Sequence, residues 1–286
     1  MAGDPQEGIC GRRQATGEKR EAMNRCEVLR VEEVTAGYDN TAALERVSFS
    51  VFGGEQVAVV GPNGAGKSTL FKVIAGLLPL RVGRVRVMGC DPHREPVEIS
   101  YVTQQGEVDF SFPVTAADVV MMGRIGRMGW LRWPSRQDRE VVRRALAQVG
   151  IQDLADRQIG ELSGGQQQRV FIARALAQEA EILLMDEPFA GVDATSEQAI
   201  LDLLERFKEG GITILLSTHD LNLAADRFDR VLLLNREVIA YGPPQEVFCP
   251  DVLHRAYGGQ LAVWEHERGL VMLGDGHCSM GEEVAR

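Results

Sequence analysis

The sequence has few of the features that mark a membrane-spanning or secreted protein. No apolar run in its 286 residues approaches the roughly 20 residues that a helix needs to cross a bilayer. Residues 1–25 are polar and charged and contain no apolar segment of the kind found in signal peptides. We therefore expect a compact protein that stays in the cytosol unless a partner holds it at a membrane.

Paired cysteines and excess positive charge are also lacking. The five cysteines are scattered, odd in number and include no CxxC pair, which is typical of free thiols in a reducing compartment. The formal charge of -10 lacks the surplus of lysine and arginine that binding along a nucleic-acid backbone requires. The composition therefore argues against a disulfide scaffold and against a nucleic-acid partner.

The chain does contain the alternating strand and helix patterns of an α/β domain. Short β-like segments begin at Glu27 and lead to a helix pattern over residues 67–78. A mainly helical stretch, about 112–178, has its clearest helix segments over 116–123 and 139–149. It separates the first strands from two apolar runs, 182–185 and 212–216, that are typical of parallel strands covered on both faces. We predict a tail over residues 1–26, one domain over 27–250 and a C-terminal extension over 251–286.

Residues 61–69 have the pattern of a phosphate-binding loop between a strand and a helix. The glycines let the backbone turn its N–H groups toward a phosphate, and the start of the helix adds positive potential. Lys67 supplies a cation for the β- and γ-phosphates, and the hydroxyl of Ser68 ligates Mg²⁺. The predicted site for ATP and Mg comprises Gly61, Pro62, Asn63, Gly64, Ala65, Gly66, Lys67, Ser68 and Thr69.

Two carboxylates and a histidine follow the apolar runs. Asp186 and Glu187 end the run 182–185, at the carboxyl end of a predicted parallel strand, where open α/β sheets bind ligands. Asp186 can orient Mg²⁺ or its water shell, and Glu187 is the candidate for polarising the attacking water. His219 follows the run 212–216 in the same way, so its imidazole could contact the γ-phosphate or that water.

The segment Leu-Ser-Gly-Gly-Gln at residues 162–166 opens another helix pattern. Ser163 and Gln166 have the spacing of a capping box. Capping does not explain Gly164 and Gly165, because two adjacent glycines weaken a first helical turn. A close backbone approach to a ligand accounts for them better.

With these motifs in order, residues 27–250 resemble the ABC ATPase family. The resemblance implies a RecA-like P-loop NTPase core, an N-terminal antiparallel β subdomain and an inserted α-helical lobe. It also implies a head-to-tail dimer, in which the phosphate loop of one subunit and residues 163–166 of the other enclose each ATP.

The same resemblance assigns roles to three further residues. Tyr38 stacks on the adenine, although local sequence alone favours a turn tyrosine packed on a strand edge. Gln104 contacts Mg²⁺ and water and senses a permease, and Asp193 links the two subunits. Thr103 precedes Gln104 where the family commonly has proline.

A narrower resemblance, over residues 105–130 and 189–193, is to the manganese, zinc and iron branch of ABC importers. It implies an ATP-hydrolysing subunit held at the inner face of the membrane by permease subunits that work with an extracytoplasmic metal-binding protein. The alternatives are another substrate or a soluble ABC ATPase of cluster assembly, DNA repair or translation. The sequence lacks the long coiled-coil insertions of repair ATPases and the second ATPase domain usual in translation factors. A P-loop kinase or GTPase would leave residues 162–166 and His219 unexplained.

Overall fold

The computed structural model describes residues 26–39, 41–95, 97–103, 113–128, 133–258, 262–266 and 269–273. Within these ranges the strands are β1 Glu27–Tyr38, β2 Thr41–Phe52, β3 Gln56–Val60, β4 Val82–Val87, β5 Ile99–Val102, β6 Ile182–Asp186, β7 Thr213–Ser217, β8 Arg230–Asn235, β9 Glu237–Gly242, β10 Ala262–His266 and β11 Gly269–Leu273. The α-helices are α1 Lys67–Ile74, α2 Ala116–Met122, α3 Ile125–Met128, α4 Arg136–Gln148, α5 Gly164–Ala177, α6 Ala194–Glu209, α7 Leu221–Arg227, α8 Pro244–Val247 and α9 Pro250–Tyr257. No helix in the described ranges has the length and apolar character needed to span a membrane.

A six-stranded sheet forms the centre of the fold, in the order β5-β6-β7-β3-β8-β9. The first five strands are parallel, and β9 pairs antiparallel with β8. Every residue of β3, β6 and β7 is buried, because layers cover both faces of the sheet. The two apolar runs seen in the sequence are therefore central strands, as predicted.

The two faces of this sheet bury separate apolar clusters. Side chains alternate along a strand, so Val57 and Val59 of β3 point to one cluster and Ala58 and Val60 to the other. The first cluster lies between the sheet, α1 and a three-stranded antiparallel sheet of order β2-β1-β4. The second lies under the helices α2, α4, α5, α6 and α7.

The helices α2 to α5 lie between β5 and β6 in the chain. Capping boxes start three of them, Thr115 with Asp118 at α2, Ser135 with Asp138 at α4 and Ser163 with Gln166 at α5. The second box explains why α4 begins at Arg136, three residues before the helix segment expected from apolar periodicity. The buried side chains of α2, α4 and α5 pack together and continue into the core beneath the sheet.

The residues after 250 begin with a helix that belongs to this core. Leu253 and Ala256 of α9 are buried, and the Asn235 amide donates to the Ala256 carbonyl at 2.9 Å. Further on, β10 pairs antiparallel with β11. The expected C-terminal extension therefore starts with a helix packed on β8 and β9.

Arg124, between α2 and α3, is a buried cation that joins three parts of the helical region. Its guanidinium donates to Asp138 at 3.1 Å, to Glu179 at 2.7 Å and to the Ala177 carbonyl at 2.9 Å. Arg127 also pairs with Glu179, at 3.1 Å, but its side chain is 41% exposed. Arg124 therefore forms its ion pairs from a buried position and Arg127 from an exposed one.

We expect Arg124→Met to lower the free energy of unfolding by about 3 kcal/mol, because it leaves buried polar partners without their cation. Arg127→Met should cost less than about 1 kcal/mol, since exposed ion pairs contribute little. Urea unfolding of both variants checks this. Equal losses in the two variants would contradict the difference in burial.

Candidate functional site

The phosphate loop connects β3 to α1, and two of its three glycines stand where the chain is too crowded for side chains. A Cβ on Gly61 would lie 2.0 Å from the Leu234 carbonyl oxygen, and one on Gly66 would lie 2.7 Å from that of Ala43. Gly66 also has φ 98°, in the left-handed region that favours glycine. Asn63 and Gly64 are exposed at the rim. The loop is thus closely backed by protein on one side and open to solvent on the other.

Lys67, the first residue of α1, is buried behind this loop. Its ammonium donates to the carbonyl oxygens of Gly61 at 2.8 Å and Pro62 at 3.3 Å. Burial lowers the pKa of Lys67, and the charges of Glu187 and Asp186 oppose that shift. The positive charge of Lys67 therefore interacts with both carboxylates. The neighbouring Ser68 is exposed.

Asp186 is the last residue of β6 and is only 5% exposed. One carboxylate oxygen accepts from the Ser217 hydroxyl at 2.6 Å, and the other accepts from the Tyr101 hydroxyl at 3.1 Å. Glu187 comes next, is half-buried, and its backbone N–H donates to the Ser217 hydroxyl at 2.9 Å. The two carboxylates thus lie at the carboxyl edge of the sheet, as the sequence predicted.

Strand register brings the other predicted residues of this edge together. In the parallel ladders Ser217 of β7 lies opposite Asp186 of β6 and opposite Val59 of β3, two residues before the phosphate loop. His219 follows β7 by two residues and is exposed. The next residue, Asp220, caps α7 by accepting the Leu223 N–H at 2.9 Å. The histidine is therefore held between a central strand and a capped helix.

The segment 162–166 starts α5 with the predicted capping box. The Ser163 hydroxyl accepts the Gln166 N–H at 3.4 Å, and the Gln166 side chain accepts the Ser163 N–H at 3.0 Å. Ser163 itself is exposed, and Gly164 is half-buried. At Gly165 a Cβ would lie 2.4 Å from Ser196 of α6. Close packing of α5 on α6 is therefore one reason for this glycine, and its approach to a ligand stays a prediction.

Of the remaining predicted residues, Asp193 and Tyr38 lie within the described ranges and Gln104 does not. Asp193 caps α6 by accepting the Ser196 N–H at 3.0 Å, and hydrogen bonding by the Ser196 side chain, and then by its N–H, lowers the pKa of Asp193. Tyr38 ends β1 and is 49% exposed, so its ring is not packed away. Gln104 lies outside the described residues, as do residues 105–112 and 129–130 of the segment that carries the narrower resemblance.

Sequence reasoning missed three supports of the site. Ser217 and Tyr101 bond to Asp186 from strands on either side of it. The turn between β8 and β9 supports the phosphate loop, because the Arg236 N–H donates to the Ala65 carbonyl at 2.9 Å. The only sequence signal for Ser217 was a polar residue at the end of an apolar run. Tyr101 and Arg236 carried no signal.

This donor set fits a nucleoside triphosphate with a magnesium ion. A loop of N–H groups, a buried lysine and a helix N-terminus suit polyphosphate, and the immobilised carboxylate of Asp186 and the exposed hydroxyl of Ser68 supply the oxygen ligands that a hard cation prefers. Within the described residues, no cluster of three or more His, Cys, Asp or Glu side chains could hold another metal ion. Fold and site together define a P-loop nucleotide-binding protein.

The chain belongs to the ABC transporter family, whose sequence pattern matches residues 44–190. It is 47% identical over 247 residues to the manganese transport system ATP-binding protein MntB of Bacillus subtilis, covering 86% of this chain and 97% of that protein. It is 48% identical over 241 residues to the zinc transport system ATP-binding protein TroB of Treponema pallidum, covering 84% and 91%. The resemblance stated from the sequence is confirmed.

Solved structures share the fold. One, described as an inward-facing metal-chelate type ABC transporter, aligns with a TM-score of 0.74 at 26% identity over 86% of this chain and 96% of that chain. Another is an ATP-binding cassette solved as a dimer in a post-hydrolysis state with ADP and Pi, with a TM-score of 0.66 at 29% identity over 76% and 98%. The predicted fold class, a P-loop core with an antiparallel β subdomain and inserted helices, is confirmed.

The contact of Gly165 with Ser196 predicts a compensating pair of substitutions. Gly165→Ala should destabilise the protein by about 1–3 kcal/mol, because the added methyl overpacks the α5–α6 contact. Ser196→Gly removes both side-chain atoms that the methyl would meet. The double variant should therefore recover most of the loss, as measured by urea unfolding. Simple addition of the two single effects would contradict this packing.

Proposed function

We propose that the chain is the ATP-hydrolysing subunit that powers an ABC importer of a transition metal, namely manganese, zinc or iron. The observation that carries this proposal is the identity of 47–48% to manganese and zinc transport ATP-binding proteins over more than four fifths of the chain. The reaction is the cleavage of ATP and water to ADP and phosphate. The metal is cargo that crosses through other subunits.

The site residues divide the chemistry among them. The N–H groups of residues 61–69 and the ammonium of Lys67 hold the β- and γ-phosphates, and Ser68 and Asp186 hold the magnesium ion with Gln104. Glu187 polarises the water that attacks the γ-phosphorus as the bond to the bridging oxygen breaks, and His219 orients that γ-phosphate. Magnesium, when bound, offsets charge on the phosphate oxygens. Tyr38 offers an exposed ring face to the adenine.

A second copy of the chain completes each site. Ser163 lies exposed at the start of α5, and residues 163–166 present a helix N-terminus that suits an anion. In a head-to-tail dimer this segment of one copy closes on the nucleotide in the other, and Asp193 links the copies. Support comes from the related cassette solved as a dimer with ADP and Pi. Binding of ATP closes the dimer and hydrolysis reopens it, which moves the attached permease.

The partners follow from this assignment. The chain sits at the cytoplasmic face of the membrane, held there by permease subunits, and an extracytoplasmic protein delivers the metal. The likeness to a transporter described as metal-chelate type supports a permease partner. The formal charge of -10 argues against a nucleic-acid partner.

The content of manganese, zinc and iron in cells carrying Lys67→Ala tests the function under limitation for each metal. We expect a selective fall in one metal, because the variant loses the cation that holds the phosphates. Lys208→Ala is the matched control, since Lys208 forms an ion pair with Asp229 at the amino end of β8, away from the carboxyl edge of the sheet where the site lies. Unchanged levels of all three metals would contradict metal import, and unchanged ATP hydrolysis by purified Lys67→Ala would contradict the ATPase assignment.

A further inference from the structure

The hydroxyl of Ser217 bonds to both acidic residues of the site, to the side chain of one and to the backbone of the other. Ser217 is the last residue of β7 and has no exposed surface. Its hydroxyl donates to Asp186 Oδ1 at 2.6 Å and accepts the backbone N–H of Glu187 at 2.9 Å. A serine hydroxyl has one hydrogen to donate and lone pairs to accept with, so one small group binds two consecutive residues of the neighbouring strand.

The bond to Glu187 is made at a strained point of the backbone. Glu187 has φ 43°, in the left-handed region that side chains other than Asn and Asp rarely adopt. Such conformations persist only where surrounding contacts hold them. The Ser217 hydroxyl is such a contact, because it accepts the N–H of this same residue.

The carboxylate of Asp186 is also fixed from the other side. Tyr101 of β5 donates its hydroxyl to Asp186 Oδ2 at 3.1 Å, so each oxygen of Asp186 is bonded to a different neighbouring strand. A carboxylate held at both oxygens cannot rotate about its terminal bond without breaking a hydrogen bond. In the chain, β5 leads to Gln104 and β7 leads to His219.

We propose that Ser217 is a positioning residue for ATP hydrolysis, which orients the carboxylate of Asp186 and the backbone of Glu187 with one hydroxyl, while Tyr101 is the second anchor of Asp186. This inference rests on the proposed function, which assigns Asp186 to the magnesium ion and Glu187 to the attacking water. Ser217 is fully buried, so it acts through Asp186 and Glu187.

Three variants separate positioning from stability. Ser217→Ala removes both hydrogen bonds of the Ser217 hydroxyl, and Tyr101→Phe removes the hydroxyl that donates to Asp186 Oδ2. Thr213→Val is the matched control, because Thr213 is buried at the opposite end of the same strand and its hydroxyl accepts only the Gly54 N–H among the bonds observed, at 2.9 Å. It removes a buried hydroxyl of β7 without touching the carboxylates.

ATP hydrolysis by the full-length variants is measured against ATP and against Mg²⁺ concentration. In Ser217→Ala we expect kcat to fall at least about tenfold and KM for ATP to change less than about threefold, because the misplaced groups act in the transition state. Tyr101→Phe should raise the half-saturating Mg²⁺ concentration with a smaller loss of kcat. Thr213→Val should match the wild type in both.

A Ser217→Ala enzyme with the kcat and Mg²⁺ dependence of Thr213→Val would overturn the proposal. Where Ser217→Ala does not fold, a wild-type Mg²⁺ dependence in Tyr101→Phe overturns the anchoring of Asp186. Failure of the proposed function looks different, because Lys67→Ala would then hydrolyse ATP as fast as the wild type.

Discussion

The in-register pairing of β6, β7 and β3 is the constraint on which the site depends. Because the three strands are parallel, their carboxyl ends meet at one edge of the sheet, with Asp186 opposite Ser217 and Ser217 opposite Val59. A slip of one residue would turn Asp186 toward the opposite face of the sheet. The apolar clusters on both faces oppose such a slip, since the apolar side chains along these strands pack alternately into one cluster and the other.

Hydrogen bonds offset the cost of burying charged side chains at this edge of the sheet. Removing an ammonium or a carboxylate from water is costly unless it is hydrogen-bonded. Lys67 has two carbonyl partners, and Asp186 has two hydroxyl partners. The lowered pKa of Lys67 records the remaining cost of its burial. The site therefore holds its charges in place before a nucleotide arrives, which favours chemistry that depends on positioning.

The features that the sequence predicted are those whose signal lies within a few residues. The phosphate loop, the carboxylates after β6 and the capping box of Ser163 are each continuous in the chain, and the alternation of apolar runs with helix patterns indicated the sheet. The start of α4 was missed by three residues, because a capping box there overrides the apolar period.

The features that the sequence did not predict are contacts between distant segments. Ser217 meets Asp186 from 31 positions away, and Tyr101 meets it from 85. Gly165 packs against Ser196, a contact that depends on how α5 and α6 lie together and that residues 162–166 do not encode. Local patterns give the chemistry of each segment, and register decides which segments meet.

A structure of the Glu187→Gln variant bound to MgATP would show directly how the site holds its nucleotide, because this variant should bind ATP but turn it over very slowly. We predict a dimer in which Lys67 has exchanged its bonds to the Gly61 and Pro62 carbonyls for bonds to the β- and γ-phosphates. We also expect Asp186 to face the magnesium ion and Ser163 of the second copy to face the γ-phosphate. Nucleotide bound away from residues 61–69, or Lys67 still bonded to both carbonyls beside a bound ATP, would contradict this prediction.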